Sequence, residues 1–361
     1  MCIEHIDYTT PTVPAIEFLS LFYHATLMRE QKKGSKAWIH AGEVVRLAVK
    51  MGYNKNPEVY SYHTPFQAEM GTRIWHFVAY TDLLYSFQQG MPAVARSWDY
   101  DTRLPQNFKE QDMCKTMTAL PQPQLPNVPT PISYMVATYD ISRVFRLIIE
   151  QSSAVAPRDY STTLALDDQL EKAWTSVPAH LQRLNLDSGP DLDAIKCYQL
   201  GHLYHQSLCI LHRGYLVQGL ANGDFDKSVT RCLESALSLL QVQTDLQNLE
   251  STGKKKSFWY TIPLTHDGFL LAAAILCVFL AAPHGPALSE EAKAFVKTAL
   301  ASTHTIWFRA RKFSVSTDKA CRVIDRLVSA FDTHLPSNTV TECHCRAASQ
   351  RYSSTILSEP W

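Results

Sequence analysis

The sequence predicts an all-α protein, a large irregular multi-helix domain in which neighbouring helices pair antiparallel. Apolar residues recur at three- and four-residue spacing along most of the chain, and no alternating apolar–polar run is long enough for a useful strand. Hydrophobic residues make up 46% of the 361 residues and charged residues 19%, a balance that excludes a disordered chain. We expect helices at about residues 14–31, 37–51, 65–89, 132–151, 191–219, 227–249, 261–281, 288–311 and 316–333.

The third of these helices has the clearest end signals. Thr64 and Gln67 have the spacing of a capping box, in which each side chain accepts a hydrogen bond from the other residue's backbone N–H. Gly90 and Pro92 are expected to end the helix, and Gly52 is expected to end the second helix in a similar way. The apolar face of the third helix is predicted to contain Phe66, Met70, Ile74, Phe77, Thr81 and Leu84.

A proline-rich stretch interrupts the helical pattern at residues 121–131. Five prolines in eleven positions cannot form a helix and predict an extended, exposed linker. Core-like helices lie on both sides of it, so we expect one domain rather than two independent ones. The predicted organisation is an N-terminal arm at 1–13, a single domain at 14–336 that includes this linker, and a flexible tail at 337–361.

Charge and hydropathy exclude several classes of partner. Lys and Arg total 34 and Asp and Glu total 34, so the chain lacks the basic excess that usually holds DNA phosphates, and no direct nucleic-acid partner is expected. The longest uncharged apolar run, residues 269–282, is too short to span a bilayer and predicts a buried helix, so no membrane partner is expected. The nine cysteines are scattered and odd in number, which is typical of reduced thiols.

No pattern in the sequence predicts catalysis or a cofactor. The glycines never form Gly-x-Gly-x-x-Gly, and Thr252-Gly253-Lys254 lacks the upstream glycine of a phosphate-binding loop. Asp99 and Asp101 have the spacing of a metal-binding pair, but a hard cation needs more oxygen ligands, and aspartates that cap backbone amides in a turn are the favoured interpretation. We therefore expect no catalytic residue, no cofactor and no metal site.

One helix face carries an unusual set of polar side chains. His202, His205, Cys209 and His212 lie at i, i+3, i+7 and i+10 of the predicted helix 191–219 and share one face. They span about 15 Å of helix axis, so all four cannot ligate one ion. At most two or three of them could ligate zinc. The other interpretations are that these residues line a polar ligand pocket, or that the histidines are satisfied by neighbouring carbonyl groups or partly exposed.

The segment from Gly42 to Asp112 carries an ordered set of motifs. In chain order these are Met51-Gly52 at a helix end, Glu69, Arg73 and Trp75 on the next helix, Asp82, Gly90-Met91-Pro92, and Asp99-x-Asp101 before Pro105. The set resembles the middle homology region of fungal-specific zinc-cluster transcription factors. Two later segments, 211–216 and 261–282, also resemble that family, so the resemblance covers roughly residues 15–335. Two departures are Met91, where the family has arginine, and a single basic residue, Arg73, before Trp75.

These motif residues have structural roles that follow from their chemistry. Glu69 and Arg73 lie one helical turn apart and can pair. Trp75 supplies a large buried surface. Asp99 and Asp101 are expected to accept Arg73 or Arg46 across the turn. Together with Asp82, Gly90 and Pro92, they are predicted to hold the fold and not to take part in a reaction.

The resemblance implies a nuclear transcription regulator, with a cytosolic location as the alternative. The family's domain is a helical regulatory and interaction unit, often found in regulators of secondary-metabolite gene clusters. The family's six-cysteine zinc module is absent from these residues, so we expect action through a protein partner, either a full-length DNA-binding factor or a second copy, with a small-molecule effector possible. The alternatives are a helical ligand-binding protein or enzyme that uses the His202–His212 face, and a non-functional remnant.

Overall fold

A computed structural model describes residues 10–29, 35–59, 64–153, 159–182, 192–251, 262–281, 290–310, 318 and 321–326. Within these ranges the secondary structure is helical, with turns and irregular segments but no strand, so the predicted all-α class is confirmed. The chain divides into two compact units, residues 1–186 and residues 187–360.

In the first unit, consecutive helices from α1 to α5 pack on one another along the chain. Helix α1 packs on α2, α2 on α3, α3 on α4 and α4 on α5. Two short 3-10 turns at 57–59 and 110–112 interrupt the connections. The helices are α1 Val13–Arg29, α2 Ser35–Lys50, α3 Pro65–Gln88, α4 Ser133–Ser152, α5 Tyr160–Thr175 and α6 Ala179–Gln182.

An apolar core joins α1, α2 and α3. Trp75 on α3 is fully buried at its centre, together with Ile16 and Leu19 of α1 and Val44 and Ala48 of α2. A buried tryptophan of this size contributes more apolar area than any other residue type, so it anchors the three helices together. The predicted burial of Trp75 is confirmed.

The ends of α2 and α3 have the geometry that their sequences predict. Gln67 N–H donates to Thr64 Oγ1 at 3.3 Å and Thr64 N–H donates to Gln67 Oε1 at 3.0 Å, which completes the capping box. Gly52 and Gly90 have φ angles of +75° and +66°. After Gly90, the N–H of Met91 donates to Ser86 O at 2.9 Å, which is the six-to-one hydrogen bond of a Schellman end.

The apolar face predicted for α3 coincides only in part with the buried side of the helix. Leu84 is buried, but Phe77 is exposed, and Phe66, Met70, Ile74 and Thr81 are only partly buried. The buried side instead includes polar and charged residues, Glu69, Thr72, Arg73, His76, Asp82 and Ser86, beside Trp75 and Val78. The apolar pattern misplaced this face because polar groups can be buried when hydrogen bonds satisfy them, and apolar periodicity does not register such residues.

Helices α5 and α6 were not predicted. Asp159 caps α5, because its Oδ1 accepts the N–H of Ser161 at 3.3 Å. The buried side chains of α5 lie at helical spacing, Thr163, Leu166, Asp167, Leu170 and Ala173. The cap and this spacing are the signals that could have located the helix.

The proline-rich stretch is non-helical, as predicted, and lies inside the first unit. The Asn107 side-chain amide donates to the carbonyl oxygens of Leu125 and Val128, both at 3.0 Å, and Gln124 N–H donates to Asn107 O at 2.8 Å. The boundary between the two units lies at residue 186 instead of at this stretch. The single domain over 14–336 stays a prediction, and residues 1–9 of the predicted arm and the tail at 337–361 lie outside the described residues.

Within its described residues, the second unit contains four long helices. Helix α8 packs on α7, α9 and α10, and α9 also packs on α7. No helix in the described ranges is long and apolar enough to cross a membrane. Of the helix predicted at 316–333, only residues 318 and 321–326 are described, and these are helical. The four are α7 Leu192–Asn222, α8 Asp226–Ser251, α9 Ile262–Ala281 and α10 Glu290–Ala310.

Candidate functional site: a polar clasp and a polar helix face

A buried carboxylate organises the motif residues of the first unit. Glu69 on α3 is fully buried, and its oxygens accept hydrogen bonds from Arg73 Nε at 3.0 Å and Arg103 Nη1 at 2.8 Å. It also accepts the backbone N–H of Gln106 at 3.3 Å. Two guanidinium groups thus share one carboxylate, and Glu69 fixes the irregular segment around 103–106 on α3.

Arg73 connects this centre to the protein surface. The predicted pair with Glu69 is present, and Arg73 Nη1 also contacts Glu110 Oε1 at 2.8 Å. The Glu110 side chain is 53% exposed, whereas that of Arg73 is 7% exposed. The expectation that Arg73 pairs with Asp99 or Asp101 was therefore wrong, because Glu69 and Glu110 bind its guanidinium.

The two aspartates bind backbone amides. Asp99 Oδ2 accepts the N–H of Arg96 at 3.1 Å, and Asp101 Oδ1 accepts the N–H of Asn56 at 3.0 Å. Such short side chains commonly satisfy amides in turns. The geometry favours the turn interpretation over a metal-binding pair, and no group of three or more metal-ligating His, Cys, Asp or Glu side chains occurs among the described residues.

Asp82 and Arg146 bind an earlier part of the irregular segment, at Ala95, from inside the core. Asp82 Oδ2 accepts the N–H of Ala95 at 2.9 Å, and Arg146 donates to the carbonyl oxygens of Ala95 and Ala79. Burial raises the pKa of Asp82, while the Ala95 N–H and the charge of Arg146 oppose that rise. A buried backbone amide and carbonyl of Ala95 are thus both satisfied by side chains.

Further contacts complete the attachment of this segment. His76 on α3 shares a hydrogen bond of 2.8 Å with Arg103 O, and burial lowers the pKa of its imidazole. Glu150 on α4 accepts the N–H and hydroxyl of Ser97 at 3.2 and 3.0 Å. Asn54 donates to Asp99 O at 2.9 Å.

We call this set the polar clasp. It consists of the side chains that attach residues 95–106 to the rest of the unit, together with Arg73, which binds Glu69 and Glu110. The attaching side chains are those of Asn54, Glu69, His76, Asp82, Arg146 and Glu150. The hydrogen bonds described above join these side chains to other groups of the protein, so the clasp determines conformation. Sequence reasoning missed Arg103, Glu110, Arg146 and Glu150 because their partners lie far away in the chain.

Gly90, Met91 and Pro92 lie at the edge of the clasp. Gly90 adopts the left-handed conformation that ends α3. Met91 is 46% exposed, so the methionine side chain at this position is not part of the buried core. This departure from the family pattern is therefore compatible with the fold.

The polar face of α7 packs against two different helices. His202 is 3% exposed and its ring meets Phe269 of α9 edge-on, with ring centroids 5.2 Å apart. Helix α9 comes so close here that a Cβ added at Gly268 would lie 2.3 Å from His202 Nε2. His205 is only partly buried and its ring contacts Tyr204.

The remaining two residues of this face contact α8. His212 Nδ1 lies 2.9 Å from Ser228 Oγ, and both residues are fully buried. Cys209 Sγ lies 3.9 Å from Cys232 O. The structure therefore distributes the four predicted residues along a packed helix, and their role as the lining of a ligand pocket stays a prediction.

Comparison with known proteins identifies the first half of the chain. Residues 3–172 match the model of the fungal specific transcription factor domain. No solved structure matches the chain.

Several curated proteins are similar over most of this chain. The Zn(2)-C6 fungal-type transcription factor pigI of Monascus ruber is 31% identical over 82% of this chain and 38% of its own length. The equisetin cluster transcription factor eqxF of Fusarium heterosporum is 30% identical over 88% of this chain and 47% of its own length. The Zn(2)-C6 fungal-type transcription factor mpsB of Macrophomina phaseolina is 28% identical over 99% of this chain and 51% of its own length. The chain thus spans about half or less of the length of these relatives.

Proposed function

Because residues 3–172 belong to the fungal specific transcription factor domain family, we propose that this chain regulates transcription through a helical interaction domain. The observation that carries the proposal is the extent of the similarity. Relatives named as transcription factors align over 82% and 88% of this chain, so the similarity extends through both units.

The proposed targets are genes of a secondary-metabolite cluster. The relative from Fusarium heterosporum is named for the equisetin cluster, and another from a Fusarium strain is named for the fusarisetin A cluster. The corresponding proposal for this chain is control of the cluster in which its own gene lies.

In our proposal these 361 residues reach DNA through a partner. The charges of the chain cancel, 34 basic against 34 acidic, so it has no basic excess to neutralise phosphates. The proposed partner is a DNA-binding factor that carries a zinc cluster, or a second copy of this chain. The proposed location is the nucleus, and a small-molecule effector could act on the helical domain.

We also propose that the chain has no catalytic activity. The side chains of the polar clasp are occupied by internal hydrogen bonds and ion pairs, such as those of Glu69 with Arg73 and Arg103. Catalysis needs a group that can exchange a proton or form a bond with a substrate, and a carboxylate shared by two guanidinium groups is poorly suited to either.

The first experiment follows a tagged chain in its source organism. We expect fluorescence in the nucleus, and we expect a zinc-cluster factor to co-purify from nuclear extract. With the purified pair, a promoter fragment should shift only when the zinc-cluster factor is present. A shift by this chain alone would contradict partner-dependent binding, and exclusion from the nucleus would contradict the regulator.

The alternative, an enzyme or ligand carrier, depends on the polar face of α7. It predicts that the purified chain converts or binds a metabolite from its own cluster, and that His202→Ala or His205→Ala abolishes this. The matched control is His180→Ala, which lies on α6, outside the α7 face. Turnover that survives both α7 substitutions would exclude this face as a catalytic site.

A further inference from the structure

Two buried thiols face each other between α7 and α8. Cys209 Sγ lies 3.9 Å from Cys232 O, and Cys232 Sγ lies 3.9 Å from Cys209 O. Each side chain therefore extends toward the backbone of the opposite residue. Both residues are fully buried, and both are free thiols.

The register of the two helices makes this pairing a fixed feature of the second unit. Cys209 is opposite Cys232 and His212 is opposite Ser228, so residue numbers rise along α7 as they fall along α8. The helices are thus antiparallel. The hydrogen bond between the His212 imidazole and the Ser228 hydroxyl, one turn away, holds the thiols in register.

Several small side chains lie on the surface of α8 beside the thiols. Ser228 and Cys232 face α7, and Ser235 and Ala236 continue the same face one turn later, all of them buried. Small residues at a helix contact allow the axes to approach closely, since interaxial distance depends on side-chain size. A disulfide requires Cα atoms about 4.4–6.8 Å apart, and a seam of small residues is the arrangement that permits this.

We propose that Cys209 and Cys232 form a redox-sensitive pair that a small uncharged oxidant, such as hydrogen peroxide, converts to a disulfide joining α7 to α8. One thiol loses its proton and attacks a peroxide oxygen, which yields a sulfenic acid and one water. The second thiol attacks that sulfur, the S–O bond breaks, and the second water leaves. Two thiols are oxidised and one peroxide is reduced to two waters, so the reaction is balanced.

The environment of the two thiols limits the oxidants that can react with them. Burial raises the pKa of the Cys209 thiol, and the neighbouring Cys232 thiol raises it further. The thiolate is the reactive form, so oxidation is slow and requires an oxidant small enough to enter the packed unit. Among the cysteines that the structure describes, exposed Cys114 should react first, and the buried pair should yield an internal cross-link.

The cross-link would stabilise the contact between α7 and α8 in the second unit. It closes a loop that includes the turn between α7 and α8, and it therefore reduces the freedom of the unfolded chain. Helices α7 and α8 could then no longer separate. This inference does not depend on the proposed function, because it concerns the chemistry of the chain itself.

The test uses the full chain treated with hydrogen peroxide under non-reducing conditions. We expect a peptide pair that links Cys209 to Cys232, with a mass about two hydrogen atoms below the sum of the two free peptides, and an unfolding midpoint several degrees higher. Reduction should reverse all three. We expect Cys114 to be modified at least tenfold faster than the link forms.

Two serine variants make the test specific. Cys209→Ser should abolish both the linked peptides and the rise in the midpoint. The matched control is Cys197→Ser, also a buried thiol of α7, which should retain both. If the oxidised wild-type chain links other cysteines, or if Cys209 and Cys232 accumulate sulfinic acid without a link, the proposal is wrong. Correct helicity of each variant by circular dichroism shows that it folds.

Discussion

We expect the buried carboxylate of Glu69 to contribute far more to the free energy of unfolding than the exposed carboxylate of Glu110, although both bind Arg73. Glu69→Gln keeps the size of the side chain but removes its charge. It leaves two guanidinium groups, those of Arg73 and Arg103, facing an amide in place of the fully buried carboxylate that binds both. Removal of one partner from a buried ion pair costs about 3–5 kcal/mol of unfolding free energy.

The expected change in melting temperature follows from the size of the unit. For 150–250 residues, each kcal/mol shifts the midpoint by about 2–4 °C. Glu69→Gln should therefore lower the midpoint by roughly 6–20 °C. Circular dichroism at the helix band, followed during heating and during urea unfolding, measures both the midpoint and the free energy.

The matched control is Glu110→Gln. Glu110 binds Arg73 Nη1 at 2.8 Å but is 53% exposed, and exposed ion pairs contribute about 0–1 kcal/mol. Its midpoint should fall by less than about 4 °C. Equal effects for the two variants would refute the reasoning, because they would mean that burial of Glu69 does not determine its contribution.

Three further outcomes are expected. Gly268→Ala should cost about 1–3 kcal/mol of unfolding free energy by overpacking, because its Cβ would lie 2.3 Å from His202 Nε2. In a double-mutant cycle measured by urea unfolding, His202→Ala should relieve part of that cost, and additive effects would contradict the contact. Gly90→Ala should lower the free energy of unfolding by roughly 1–2 kcal/mol in the same assay, because the φ of Gly90 is +66°. An unchanged urea midpoint would show that stability does not depend on glycine at the left-handed end of α3. Burial lowers the folded-state pKa of His76 below the ordinary 6.5, so the unfolded chain binds more protons and stability should fall as the pH decreases from 6.5 toward the folded-state pKa. His76→Gln should reduce this dependence of the unfolding free energy on pH, measured between pH 7.5 and 5. An unchanged pH dependence would exclude His76 as its source.

The sequence was most informative where structure is local. The capping box of Thr64 and Gln67, the glycine that ends α3 and the pair of Glu69 with Arg73 each involve residues three or four positions apart or a single backbone conformation. Such features depend on helix geometry alone, so their spacing predicts them.

The clasp as a whole could not be predicted because its partners are distant in the chain. Glu69 meets Arg103, which lies 34 residues away, and Arg146 reaches Ala95 and Ala79 at separations of 51 and 67 residues. The irregular segment brings Arg103 to Glu69, and the packing of α4 on α3 brings Arg146 to Ala79. Glu69 and Asp82 are buried, although a search for apolar periodicity assigns them to the surface.

The face of α7 shows a different limit. The spacing of His202, Cys209 and His212 correctly predicts that they lie on one side of a helix. It does not predict which neighbouring helices cover that side. Helix α9 covers His202, whereas α8 covers Cys209 and His212. Cys232, on a different helix, had no sequence signal that linked it to Cys209.

The central claim is that this chain controls the expression of a gene cluster through its folded helical domain. The most direct test measures transcripts of the genes around its own locus after its gene is deleted and then restored as wild type, Glu110→Gln or Glu69→Gln. We predict that deletion changes transcript levels across the cluster, that wild type and Glu110→Gln restore them, and that Glu69→Gln does not. Unchanged cluster transcripts after deletion would contradict the account.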